Sequence, residues 1–145
     1  MNRPVAFQSR AIESGVTAAL VRDVVLAFYA KVRRDDVLGP LFEAAIGADW
    51  DAHIERIVRF WLTATRLERS YDGSTFMRAH LQHRSIRVEH IRRWFELFDA
   101  TLAECCAPAP AAALRDIAVR MAENIEIGLK RRDQTAARAD GAGGA

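Results

Sequence analysis

Cysteine is scarce: the 145 residues hold two, Cys105 and Cys106, and they are adjacent. Neighbouring cysteines build neither a disulfide framework nor a CxxC metal or redox motif, and they point weakly to a reducing compartment. Four prolines and eight glycines are too few for a collagen-like or low-complexity chain. No apolar run approaches the roughly 18 residues that span a bilayer, and the N-terminal MNRPVAFQSRAIESG lacks an apolar signal core. Charge of one sign is missing too: 21 Lys and Arg stand against 19 Asp and Glu, for a net +2, which gives little support for nucleic-acid binding. These absences predict a soluble, cytoplasmic protein with no membrane partner.

What is there is apolar and periodic. Half of the residues are hydrophobic, enough for the core of one domain and too many for intrinsic disorder. The apolar spacing stays close to 3.6 with no convincing alternation, which predicts an all-α fold. A first long helix is expected from Thr17 to Arg34, striped by Leu20, Val21, Val24, Val25, Phe28 and Val32. A short one follows through Leu38, Pro40, Leu41, Phe42 and Ile46, with Gly47 as its stop. A second long helix spans Asp49 to Thr65 and puts Trp50, His53, Ile57, Phe60, Trp61 and Ala64 on one face. After a loop over 66–73, Ser74 caps a short helix carrying Phe76, Met77, His80 and Leu81. A third long helix carries Ile91, Trp94, Phe95, Phe98, Thr101, Leu102 and Cys105, and Pro108 and Pro110 break it. The last helix runs from Ala111 to Lys130. Residues 1–14 and the Ala, Gly and Arg-rich tail 131–145 are expected to be flexible or disordered.

Two histidines stand on otherwise apolar faces, His53 and His80. A structural zinc site needs about four clustered ligands, which the sequence does not offer, and no HExxH spacing occurs. A cofactor that brings four ligands of its own needs only one or two histidines, and haem is such a cofactor. The aromatic supply around these helices suits a flat macrocycle. On periodicity alone, a histidine or an aromatic stripe on such a face is more often ordinary core.

The residues also carry a resemblance. Phe28-Tyr29-Ala30-Lys31-Val32-Arg33, Leu38-Gly39-Pro40-Leu41-Phe42, Ala45-Ile46-Gly47 and Trp50-Asp51-Ala52-His53 come first. Phe60-Trp61, Tyr71-Asp72-Gly73, Ala79-His80-Leu81 and Arg93-Trp94-Phe95-Glu96-Leu97-Phe98 follow in the same order. Together they resemble the group III truncated haemoglobins over residues 15–130, which sets the domain between the two end segments. The resemblance implies a truncated globin fold, a two-over-two helical sandwich around haem b (iron protoporphyrin IX).

It implies His80 as the proximal iron ligand, His53 as the distal-helix histidine, and Tyr29 and Trp94 as hydrogen-bond donors toward a gas ligand. Phe42 is implied to pack on the porphyrin and Ile57 to make an apolar distal contact, and Phe60, Phe76 and Ile91 join them as cofactor-binding residues. Ala79 departs from the family pattern, in which a basic residue often stands before the proximal histidine and reaches a propionate. His83 and Arg84 are candidates for that task, within a basic cluster that includes Arg87, Arg92 and Arg93. The implied ligands are O2, NO and CO, for ligand chemistry, detoxification or sensing rather than bulk transport. NO dioxygenase or peroxidase-like activity, a reductase partner and a monomeric state accompany that reading. The alternatives are an arginine-rich helical nucleic-acid-binding module without cofactor, using the segment from Arg84 to Arg93, and a cofactor-free helical interaction domain.

Overall fold

The computed structural model describes residues 11–67 and 85–143. Among the described residues there is no strand, and the longer helices are α1 (Ala18–Arg34), α2 (Leu38–Ile46), α3 (Trp50–Ala64), α4 (Val88–Cys105) and α5 (Pro108–Gly143). The all-α expectation holds. None of these helices is long and apolar enough to cross a membrane.

Local chemistry fixes the ends of α1. Thr17 Oγ1 accepts the Leu20 N–H at 3.1 Å, satisfying one of the donors that a helix start leaves free. Lys31, Arg33 and Arg34 in the last turn complement the negative end of the helix dipole. The next residue, Asp35, turns the chain: its Oδ2 accepts the N–H groups of Val37 at 3.1 Å and Leu38 at 2.9 Å, the start of α2. Gly39 sits where α2 crosses the end of α1, and a Cβ there would lie 3.0 Å from the Arg33 carbonyl oxygen. Gly47 then ends α2 with φ of +63°, a conformation that favours glycine.

Two helix pairs result, α1 with α3 and α4 with α5, and α1 also rests on α4, with α2 bridging the α1 and α4 ends. This is the two-over-two arrangement that the resemblance implies. The core between the pairs is built on aromatic rings. Phe98 of α4 stacks on Trp61 of α3 at 5.0 Å and on Trp94 one turn earlier at 5.3 Å. Phe28 of α1 meets Phe98 and Trp94 edge-on at 5.2 and 5.5 Å. Each such pair contributes about 0.5–1.5 kcal/mol beyond the area it buries. Aliphatic side chains, among them Val25, Val32, Leu102, Leu114 and Leu129, fill the remaining buried positions. Two buried threonine hydroxyls bond back along their helices, Thr65 to the Trp61 carbonyl at 2.7 Å and Thr101 to that of Leu97 at 2.7 Å.

The structure differs from the sequence reading at both ends. Ala11 and Val16 are buried against the core, so the expected flexible segment includes a residue that the fold holds. The last helix starts at Pro108 rather than Ala111, because its first turn needs no internal N–H donor and tolerates both prolines. It also passes Lys130, the expected end, and continues to Gly143 where a disordered tail is expected. Residues 133–141 are exposed. Beyond Leu129 the apolar stripe is gone and the helix persists on the propensity of Ala, Arg and Gln. Arg132 ties the first part of this extension down by donating to the Ile86 carbonyl at 2.8 Å.

Candidate functional site: an apolar cleft between the helix pairs

A cleft opens between the two helix pairs, about 680 Å3 with the open space at its mouth included. Helical spacing brings the lining together. From α3 come His53, Ile57, Phe60 and Trp61, which recur every three or four residues along one face. From α4 come His90, Ile91 and Trp94, and α1 contributes Tyr29. Phe42, Leu38 and Leu41 enter from α2, Ile86 from the segment before α4, and Met121 and Ile125 from α5.

Of the sequence-predicted site residues, Tyr29, Phe42, His53, Ile57, Phe60, Ile91 and Trp94 therefore share one cleft. Phe76, His80, His83 and Arg84 lie outside the described residues. Sequence reasoning missed Leu38, Leu41, Ile86, Met121 and Ile125 as lining, because an aliphatic residue on a core stripe carries no mark of facing a ligand, whereas Trp61, read as one of the apolar walls, does line the cleft. It also missed His90. The available signal was its place four residues before Trp94, hence on the same helix face.

The polar part of the lining is small: the Tyr29 hydroxyl, the His53 and His90 imidazoles and the indole N–H groups of Trp61 and Trp94. No carboxylate, lysine or arginine lines the cleft among the described residues. Tyr29 is 4% exposed, and burial pushes its phenol well above the ordinary range, so it stands in the cleft as a neutral hydroxyl. Its ring meets Phe28, Phe42, Trp50 and His53 edge-on at 5.0, 5.9, 6.0 and 5.5 Å. His53, half-buried, also faces Phe42 at 6.5 Å and Trp50 at 6.1 Å.

Trp50 is in turn held from outside. Its indole N–H donates to Glu43 Oε1 at 3.1 Å, and the Arg33 guanidinium lies 4.5 Å over its ring while pairing with Glu43 at 3.5 Å. A surface cluster thus braces the wall behind Tyr29 and His53.

Two arginines of the basic cluster are engaged elsewhere. Arg93 Nε and Nη2 donate to Asp35 Oδ1 at 3.0 and 2.6 Å, and Arg92 Nε donates to Glu126 at 3.0 Å. They join helices. No group of three or more His, Cys, Asp and Glu side chains suited to a metal ion occurs among the described residues. The chemistry open to this cleft is recognition of an apolar ligand by ring and aliphatic contacts, with a few side chains that carry N–H or O–H groups among its lining.

No protein-family model matches the chain. In sequence it is similar to the group 3 truncated hemoglobin ctb of Campylobacter jejuni, with 36% identity over 78 residues, 52% of this chain. The match spans 61% of that relative's length. In structure it is similar to the crystal structure of the group III truncated hemoglobin from Campylobacter jejuni, with a TM-score of 0.74 and 26% identity, covering 79% of this chain and 91% of that one. The sequence match and the superposed fold both lead to the group III truncated haemoglobins, the family to which this chain is similar.

Proposed function

We propose that this protein binds haem b in the cleft and takes O2, NO or CO at the haem iron, for detoxifying ligand chemistry or sensing rather than bulk transport. One observation carries the reading: an apolar slot between the helix pairs whose polar lining, among the described residues, is imidazole, indole and phenol only. That donor set fits the group. A macrocycle asks for apolar walls and an imidazole, and a carboxylate against its faces would be a buried charge without compensation.

Haem, when bound, supplies an iron centre that holds a diatomic gas. The chain's own residues do the rest. His80 is the residue we assign to the iron. Phe42, Ile57, Phe60 and Ile91 are the apolar walls and exclude water. Tyr29 holds its proton at the hydroxyl because burial disfavours the phenolate, and Trp94 can only donate. A hydrogen bond to an acceptor that carries negative charge contributes about 1.5–3 kcal/mol, enough to slow ligand escape roughly ten- to a hundredfold. Retention of that strength favours chemistry or sensing over release on demand. His53, packed against Tyr29 at the same wall, is the gating residue in this reading. A reductase and a cytoplasmic setting are the partner and compartment such redox work requires.

The test is the absorption spectrum of the purified protein with added hemin. A Soret band that is lost or shifted in His80→Ala supports the reading, and a chain that stays colourless with hemin overturns it. A nucleic-acid interface along α4 would have to draw Arg92 and Arg93 away from Glu126 and Asp35, with which they pair.

A further inference from the structure

His90 lines the cleft one turn before Trp94, and its hydrogen bonding at the start of α4 restricts what it can do there. The Arg87 backbone N–H donates to His90 Nδ1 at 2.9 Å, while the His90 N–H donates back to the Arg87 carbonyl at 3.0 Å. The Nδ1 lone pair is therefore used. In a neutral imidazole the proton must then sit on Nε2, the polar atom left for the cleft. A ring in that state does not ligate a metal through Nε2, because the lone pair it would need is occupied by a proton. It is a fixed N–H donor.

The cleft offers such a donor no carboxylate among the described lining residues, and Arg92 and Arg93, the cationic candidates on the same helix, are turned to Glu126 and Asp35. Among the described residues, no anionic acceptor for that N–H lines the cleft. Resting on the haem reading above, we propose that His90 donates its Nε2–H to a carboxylate on the edge of the bound macrocycle and so sets which edge lies against the start of α4.

Two substitutions separate this role from the helix cap. Glu and Gln at this third position of a helix both accept the N–H of the cap residue, so His90→Glu and His90→Gln keep the bond from Arg87. Only Gln keeps a donor for the ligand, and Glu places an anion against it. The measurement is the rate at which each holoprotein loses its haem to excess apomyoglobin, followed by visible absorbance, with native hemin and with its dimethyl ester, whose edge carboxylates are masked. With native hemin, His90→Glu is expected to lose haem at least tenfold faster than the parent and His90→Gln within about threefold of it. With the ester the difference disappears. Equal rates for both variants and the parent, or a Glu defect that persists with the ester, overturn the inference while haem binding stands. A parent chain that takes up no hemin overturns the haem reading and this inference with it.

Discussion

Asp35 and Arg93 lie 58 residues apart in sequence and share a two-pronged ion pair, with Arg93 Nε and Nη2 both on Asp35 Oδ1. The other carboxylate oxygen accepts the Val37 and Leu38 N–H groups. One side chain, 5% exposed, thus joins the corner between α1 and α2 to the helix that carries Trp94. Asp35→Asn keeps the shape and loses the charge, and we expect it to lower stability by about 1–3 kcal/mol, read as a shifted urea midpoint.

The same pair makes a pH prediction. Hydrogen bonds from Arg93 hold the Asp35 carboxyl below its ordinary range, with the Leu38 and Val37 N–H groups helping and burial opposing. A carboxylate depressed in the folded state binds its proton more tightly once unfolded. Its stabilisation is complete above the unfolded value, near 4, and fades as pH falls toward the folded one. The stability gap between parent and Asp35→Asn should therefore be constant from pH 7 to 5 and narrow below pH 4, in urea titrations at each pH.

Tyr29 titrates with the opposite sign. Burial raises its phenol, so the unfolded chain gives up that proton first, and stability should hold to about pH 10 and fall above it. Tyr29→Phe should flatten that alkaline fall. In the haem-loaded protein, Tyr29→Phe and Trp94→Phe should each speed O2 dissociation by on the order of tenfold or more, measured by stopped-flow. Unchanged rates in both would remove the hydrogen-bonding role while leaving haem in place.

Phe98 is 1% exposed, between Trp61 and Trp94. Phe98→Ala should cost about 3–5 kcal/mol and loosen the tryptophan that lines the cleft, seen as a lowered melting temperature and a shifted Trp emission. Removing the chain from Gln134 onward should change stability by less than about 0.5 kcal/mol, since residues 133–141 are exposed, while lowering the far-ultraviolet helix signal.

Local signals made the helices readable. The apolar stripe read over Thr17 to Arg34 and Gly47 as a stop place α1 and the end of α2 to within a residue of where they are observed. The end of α5 was not readable, because no stripe follows Leu129 and only backbone propensity continues the helix. On the site, Tyr29, His53, Ile57, Phe60, Ile91 and Trp94 were named through the family resemblance, and they line one cleft. Leu38, Met121 and Ile125 were not, since which core residue borders a cleft depends on how distant helices cross. The pairing of Arg93 with Asp35 was equally invisible, because nothing near either residue in sequence names the other.

The missing side chain at position 39 reaches further than its own turn. Any Cβ there presses on the Arg33 carbonyl and must move one helix off the other by a few tenths of an ångström. Leu38, Leu41 and Phe42 ride on the displaced segment. The approach of α2 to α1 thus leans on a hydrogen atom where other residues carry a carbon, and an alanine there would be felt by cleft-lining side chains that it does not touch.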